Sequence, residues 1–164
     1  MKPLIIVVDE KDNIIGYKSR DLVERLGLRY RVAALWIKNS KGKILMARRG
    51  YNKNYGPGKW SAAAAGTVEK GESYKLNIIK EAEEEIGLRN ISIKKGPKIK
   101  YDGKYKYFVQ WFICIIDKPI ESFKIQKEEV AEIKWISKEN LKKLSRNNPE
   151  KFVGSVSDCL KLNL

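Results

Sequence analysis

The sequence has 164 residues, of which 34 are Lys or Arg and 20 are Asp or Glu, and it has no histidine. Without an imidazole, catalysis by a Ser-His-Asp or Cys-His arrangement and metal binding by histidine are excluded. Hydrophobic residues make up 43% of the chain and charged residues 33%, which is typical of a globular protein rather than a disordered one. We expect a single domain over residues 1–164.

Neither a membrane-spanning segment nor a signal peptide is predicted, because the apolar stretch "LIIVV" is short and soon followed by acidic residues. Cys114 and Cys159 lack the spacing of metal ligands. We therefore expect reduced thiols and a cytoplasmic protein without a membrane partner. The net charge of +14 would attract nucleic acid, but lysines scattered along the whole chain favour a solvated surface.

In chain order, the first predicted elements are two strands, "LIIVV" (4–8) and "IIGYKS" (14–19), and a short helix that ends at Gly27. The segment "RVAALWIKNSKGKILMARRG" predicts a hairpin with "NSKG" as its turn. A Gly/Pro-rich loop, "YNKNYGPGKW", and the extended stretch "SAAAAGTV" follow.

The second half predicts a hairpin about Asp102-Gly103 and a late strand, "AEIKWI". A helix capped by Ser137 is predicted to run to about Leu144, and a terminal helix to open at Pro149. Strands with a few interspersed helices, including antiparallel hairpins, indicate an α+β or a mixed α/β sandwich.

Aromatic residues follow the predicted strands. Tyr101, Tyr105 and Tyr107 alternate along one hairpin and share one face. They either flank a substrate or form a cross-strand aromatic ladder, and we expect the ladder. All four tryptophans are expected to pack in the core: Trp36, Trp60, Trp111 and Trp135.

Between these halves, a helix is predicted from about Ser73 to Ile86, with Ser73 as N-cap and Gly87 at its C-terminal end. At about 100° per residue, its apolar face is predicted to contain Leu76, Ile79, Ala82 and Ile86. Another side carries three carboxylates, those of Glu81, Glu84 and Glu85. This side is either a solvated acidic face or a site for a hard cation, Mg²⁺ or Mn²⁺.

The flanking residues favour the cation site, because residues 66–88 resemble the Nudix box, G-x5-E-x7-R-E-U-x-E-E-x-G-U with U an aliphatic residue. The defined positions that match are Gly66, Glu72, Glu81, Ala82, Glu84, Glu85, Gly87 and Leu88. Lys80 departs from the pattern, since it keeps the charge of the family's Arg but not its planar fork.

The resemblance implies a Nudix α/β/α sandwich with a mixed central sheet and an Mg²⁺- or Mn²⁺-dependent hydrolase. It also implies a metal site made by the Ala65 carbonyl and by Glu81, Glu84 and Glu85. Gly66, Glu72, Lys80 and Gly87 would be structural residues of the box.

The run from Tyr30 to Thr67 looks like isopentenyl-diphosphate isomerase, a Nudix-fold enzyme. In that isomerase a histidine would stand at Tyr30, a cysteine at Ala65 and another histidine at Thr67, so isomerase chemistry is not expected. Basic residues that grip the isomerase's diphosphate correspond to Arg49 and Lys53. These two are either phosphate contacts or solvated cations.

The resemblance implies a general base, which would be either Glu129 or Glu81. Glu129 lies before the late strand in a pattern similar to the family's E-x-x-E-x-x-W, and Glu81 lies on the helix. The function indicated is hydrolysis of a diphosphate bond in a nucleoside diphosphate linked to another moiety, or in a related small molecule. Hydrolysis of RNA 5′ ends and a weakly catalytic nucleotide-binding module are the alternatives, and a homodimer is left open.

Overall fold

In the computed structural model, which describes residues 2–164, strands and helices alternate along the chain. The strands are β1 (Leu4–Val8), β2 (Ile14–Ser19), β3 (Tyr30–Lys38), β4 (Ile44–Arg49), β5 (Trp60–Ser61), β6 (Ala64–Thr67), β7 (Lys94–Asp102), β8 (Lys106–Ile115) and β9 (Val130–Ile136). The helices are α1 (Arg20–Leu26), α2 (Tyr74–Ile86), α3 (Lys138–Asn147) and α4 (Gly154–Lys161). No helix within residues 2–164 is long and apolar enough to cross a membrane.

Strand β3 lies at the centre of the sheet. It runs antiparallel to β1, β4 and β6 and parallel to β8, from the pair Tyr30–Tyr107 to the pair Lys38–Ile115. The predicted pairing of β1 with β2 and of β7 with β8 is confirmed. Because parallel and antiparallel pairs occur together, the sheet is mixed, as predicted.

Side chains on β3 alternate between two cores, because successive residues of a strand point to opposite faces of the sheet. Ala33, Leu35 and Ile37 pack in the core that contains the buried side of α2. Ala34 and Trp36 pack in the core that contains residues of α3 and α4. Helices therefore cover both faces, and the predicted α/β sandwich is confirmed.

The prediction of the apolar face of α2 is wrong in part. Leu76 is 60% exposed, whereas Ile78 is completely buried beside Ala82 and Ile86. The buried stripe follows the i, i+4 spacing from Ile78, and the polar Asn77 is buried next to it. The helix therefore packs on the sheet through Ile78, Ala82 and Ile86, and Leu76 is not part of this buried face.

The predicted terminal helix is present, but its predicted start at Pro149 is wrong. Pro149–Lys151 form a single 3-10 turn, and α4 begins only at Gly154. The break has a physical reason: the Val153 N–H donates to the Trp60 carbonyl at 3.0 Å, and Phe152 forms a β-bridge with Trp60. An extended segment was needed to make this contact with β5.

Candidate active site

The acidic helix α2 is fixed at both ends. The Ser73 hydroxyl accepts a hydrogen bond from the Leu76 N–H at 3.1 Å, and Gly87 ends the helix in the left-handed conformation with φ of 70°. Within α2, Glu81 and Glu85 are half-buried and Glu84 is exposed. One side of the helix therefore directs carboxylates toward β6, and its buried stripe holds it on the sheet.

Gly66 lets β6 pass close to Glu81. A Cβ atom at this position would lie 2.4 Å from the Glu81 carboxyl carbon, well inside van der Waals contact. Next to it, the Ala65 N–H donates to Glu85 Oε2 at 3.3 Å. Ala65, Glu81 and Glu85 are thus neighbours in space, and only glycine at position 66 is compatible with that closeness.

Ionisation of the half-buried carboxyl groups of Glu81 and Glu85 is unfavourable. Burial, together with Glu84 and Glu72, raises the pKa of Glu81 to about 7. Burial and the Glu81 charge raise the pKa of Glu85 to about 8, against the opposing effects of the Ala65 N–H and Arg49. Protein cations compensate this negative charge incompletely.

The donor chemistry suits a divalent cation of the Mg²⁺ type, which prefers carboxylate and carbonyl oxygens. The close approach of β6 to Glu81 leaves the Ala65 backbone beside the two carboxylates. As the side chains are placed, however, no three acidic or thiol groups within residues 2–164 stand close enough to hold a metal ion. The oxygen ligands that these residues offer are of the type that Mg²⁺ binds. Of the three glutamates of α2, Glu84 is exposed to solvent.

Lys80 and Glu72 fasten the loop before α2 to the helix. Lys80 Nζ lies 2.6 Å from Glu72 Oε1, and the other carboxylate oxygen of Glu72 accepts from the Asn77 amide at 2.8 Å. Although burial opposes it, Lys80 holds the pKa of Glu72 below its usual value.

Asn77 is a residue that the sequence analysis missed. Its buried amide also donates to the Thr67 carbonyl at 3.1 Å and so joins β6, the loop and α2. In the sequence, the one indication that Asn77 belongs to the site is its position four residues before Glu81, which places both on the same side of the helix.

Two basic residues from the β4–β5 loop region approach the carboxylates. Burial lowers the pKa of the Arg49 guanidinium, and Glu85 and Glu129 oppose this effect through their charges. Lys53 forms an ion pair with Glu129, and both side chains are about one-third exposed or less. The structure therefore brings Arg49, Lys53, Glu85 and Glu129 to one side of the sheet.

The loop that carries Lys53 is attached to the loop that carries Glu129. The Gly50 N–H donates to the Glu129 carbonyl at 2.8 Å. A Cβ atom at Gly50 would lie 2.5 Å from the Glu128 carbonyl oxygen, so the two backbones touch at a glycine. The predicted phosphate contact and the predicted base are thus direct partners, an arrangement that the sequence did not indicate.

The three positions at which the resemblance to the isomerase predicted replaced working residues lie on β3 and β6. Tyr30 is buried, and burial raises the pKa of its hydroxyl to about 12. Ala65 and Thr67 follow on the neighbouring strand. These three side chains supply neither an imidazole nor a thiolate.

Three tyrosines lie on or near the hairpin formed by β7 and β8. Tyr101 and Tyr107 face each other across β7 and β8 with ring centroids 4.9 Å apart, so the predicted ladder is confirmed for this pair. Its extension to Tyr105 is wrong. Tyr105 lies in the turn between the strands, beyond their last pair, and meets Tyr55 edge to face at 6.1 Å.

A model of the NUDIX domain matches residues 27–154. The chain belongs to the NUDIX family. An uncharacterized Nudix hydrolase of Yersinia pestis is similar to this Nudix protein, with 32% identity over 136 residues, covering 82% of this chain and 73% of that protein.

Solved structures share the Nudix fold. The structure of DR0079 from Deinococcus radiodurans has a TM-score of 0.80 at 20% identity, covering 96% of this chain and 97% of that one. The NUDIX domain of Shewanella oneidensis NrtR, complexed with ADP ribose, has a TM-score of 0.58 at 14% identity, covering 70% and 77%. The family and its hydrolase relatives make this Nudix protein a hydrolase that acts on pyrophosphate bonds. The finer resemblance to the isomerase is not confirmed.

Proposed function

We propose that this Nudix hydrolase uses Mg²⁺, or Mn²⁺, to cleave the diphosphate bond of a nucleoside diphosphate linked to another moiety, or of a related small molecule. The observation that carries the proposal is the meeting of opposite charges at one site. The half-buried carboxyl of Glu85, next to that of Glu81, lies near Arg49 and near Glu129, which is paired with Lys53. A diphosphate with a divalent cation would complement both groups.

In this proposal, Glu81, Glu84, Glu85 and the Ala65 carbonyl hold the cation. When bound, the cation neutralises the diphosphate and lowers the pKa of a water molecule. Glu84, whose side chain is exposed, would supply the third carboxylate of this set.

The surrounding residues orient this set. Lys80 and Glu72 fix the entry to α2, Gly66 admits Glu81, and Gly87 ends the helix. Arg49 and Lys53 bind the substrate phosphates as charged donors.

We assign the general base to Glu129. In the ion pair with Lys53 this carboxylate is engaged with an ammonium group. When Lys53 turns to a substrate phosphate, Glu129 is released to take the proton of the attacking water. Glu81, with a pKa of about 7, is the alternative base, but it also serves as a cation ligand.

The other readings are weaker. With Tyr30, Ala65 and Thr67 at the working positions, the isomerase-like frame carries hydrolase chemistry. RNA 5′-end hydrolysis rests on the net charge of +14 alone.

The buried, free thiols of Cys114 and Cys159 agree with a cytoplasmic protein.

The proposed function is tested with purified protein and a panel of ADP-ribose, nucleotide sugars, dinucleoside polyphosphates, prenyl diphosphates and a 5′-triphosphate RNA. Products are identified by ³¹P NMR and chromatography, with Mg²⁺ or with EDTA. The proposal expects two phosphate-containing products from at least one nucleoside diphosphate derivative, with Mg²⁺ only. Turnover of the RNA alone, or of no diphosphate at all, would contradict it.

A further inference from the structure

The first three elements of the chain, β1, β2 and α1, precede the part that matches the NUDIX domain, which begins at residue 27. Although they lie outside the matched domain in sequence, they contact its central elements in space. β1 pairs with β3, and the turn between β1 and β2 reaches both β7 and α2. We call residues 9–13 the N-terminal turn.

Strand β1 holds the loop that leads from β6 to α2. The Ile6 N–H donates to the Val68 carbonyl at 3.1 Å, and the Lys70 N–H donates to the Leu4 carbonyl at 2.8 Å. The loop is thus bound to β1 through its backbone before the chain reaches Glu72, the partner of Lys80.

Asp12 of the N-terminal turn contacts the first residue of α2. The Tyr74 hydroxyl donates to the Asp12 carboxylate and lies 3.1 Å from each of its oxygens. The Arg31 Nε–H donates to the same carboxylate at 2.7 Å, and Lys98 forms an ion pair with it. Although burial opposes it, the hydrogen bonds from Lys98 and Arg31 hold the pKa of Asp12 below its usual value. Asp12 is therefore a charged and strong acceptor for the hydroxyl.

The Tyr74 ring has packing contacts that do not depend on its hydroxyl. The Arg31 guanidinium lies 5.1 Å from the ring centroid and the Lys98 ammonium 4.9 Å from it. The ring also packs against the core beneath α2. Tyr74→Phe would therefore delete the hydrogen bond to Asp12 and keep the ring between its two cations.

Two turns of helix connect this contact to the carboxylates of the site. Asn77 lies about one turn after Tyr74, and Glu81 about one turn after Asn77. The Asn77 amide is bound to the Thr67 carbonyl on β6 and to Glu72. A displacement of the first turn of α2 would therefore move Asn77, and with it the Glu81 carboxylate, away from β6.

We infer that the N-terminal turn positions the catalytic helix: Asp12, through the Tyr74 hydroxyl, holds the start of α2 where Glu81 and Glu85 are ready to bind the cation. The inference rests on the proposed function for the cation site. Asp12 and Tyr74 are positioning residues, since they act through α2. Without their contact, α2 occupies this place for a smaller fraction of the time. The apparent dissociation constant of the cation rises in inverse proportion to that fraction.

The inference is tested by Mn²⁺ binding, measured by electron paramagnetic resonance, in Tyr74→Phe, Asp12→Gly and the double variant. Glycine suits position 12, where φ is 67°. We expect the dissociation constant of Mn²⁺ to rise about three- to tenfold in each single variant. Because both substitutions remove the same contact, the double variant should match Asp12→Gly rather than multiply the two effects. Saturating Mn²⁺ should bring kcat of Tyr74→Phe close to that of the wild type, because the cation selects the positioned helix.

Glu10→Gln is the matched control. Glu10 belongs to the same turn, and its ion pairs are with Arg29 and Lys100. This variant should bind Mn²⁺ like the wild type. An unchanged dissociation constant in Tyr74→Phe, or an equal loss of affinity in Glu10→Gln, would overturn the inference.

Amide hydrogen exchange in EDTA tests the position of the helix without a cation. Residues 69–81 should exchange faster in Tyr74→Phe and Asp12→Gly than in the wild type and Glu10→Gln. If the wild type and Glu85→Gln bind Mn²⁺ equally weakly, the proposed cation site is wrong, and amide exchange alone then decides the inference. Equal exchange of residues 69–81 in Tyr74→Phe and the wild type would overturn it.

Discussion

Replacing Glu85 by glutamine should stabilise the metal-free protein. The Glu85 carboxyl is half-buried, and the charges that face it are those of Glu81, Glu129 and Arg49. Its ionisation is therefore opposed in the folded state but not in the unfolded chain. Glutamine keeps the shape and an acceptor for the Ala65 N–H, and it removes the charge.

The size of the effect follows from the pKa, which rises from 4.5 to about 8 on folding. At about 1.4 kcal/mol per pKa unit, ionised Glu85 lowers the free energy of unfolding by about 5 kcal/mol at most. Because Glu81 titrates with it, we expect about 2 kcal/mol. The folded protein binds more protons than the unfolded chain between these two pKa values. The free energy of unfolding therefore falls as pH rises through that window.

The measurement is urea unfolding in EDTA, followed by tryptophan fluorescence, at about pH 5 and about pH 8.5. The free energy of unfolding of Glu85→Gln should be about 2 kcal/mol larger than that of the wild type at the higher pH. At the lower pH the difference should be much smaller. Glu83→Gln is the control, since Glu83 is an exposed residue of α2 that forms an ion pair with the exposed Arg89. A variant no more stable than the wild type at the higher pH, or equally stabilised at both, would refute the reasoning.

Three further predictions concern catalysis. Glu129→Gln should lower kcat by about 10²- to 10⁴-fold with nearly unchanged metal affinity, because it removes a base rather than a ligand; if Glu81→Gln alone abolishes turnover without releasing metal, Glu81 is the base. Lys80→Ala should lower kcat by at least about tenfold, because it removes the ion pair with Glu72. Lys80→Arg keeps the positive charge and should retain activity. Equal losses of kcat in the two variants would show that the positive charge at position 80 does not orient Glu72. Isopentenyl diphosphate should not be isomerised, since Tyr30, Ala65 and Thr67 supply neither an imidazole nor a thiolate, and detection of dimethylallyl diphosphate by its distinct ¹H NMR signals would disprove this.

Helix α2 could be predicted from the sequence because its signals are local. A capping serine, a terminal glycine and the spacing of the Nudix box lie within residues 66–88, and the observed helix runs from Tyr74 to Ile86. The identity of its buried face was less predictable, since Leu76 and Ile78 are both apolar and only the direction of packing distinguishes them. Local chemistry defined the element, and tertiary contact defined its orientation.

The neighbours of the site could not be predicted in the same way. Lys53 and Glu129 are 76 positions apart, and their pairing depends on the contact between two loops at Gly50. Tyr55 and Tyr105 likewise meet only because a turn and a loop converge. The first of these contacts follows from the pairing of β4 with β9. Short sequence patterns do not show which distant strands will pair.

The central claim is that the carboxylates of α2 hold the cation that hydrolysis requires. Its most direct test is to measure Mn²⁺ binding by electron paramagnetic resonance and turnover of the best diphosphate substrate in the same samples. Wild type and Glu83→Gln should bind Mn²⁺ and show turnover that rises with occupancy. Glu84→Gln and Glu85→Gln should bind it more weakly and lose about 100-fold or more in kcat. Full turnover in EDTA, or wild-type binding and turnover in Glu85→Gln, would contradict the claim.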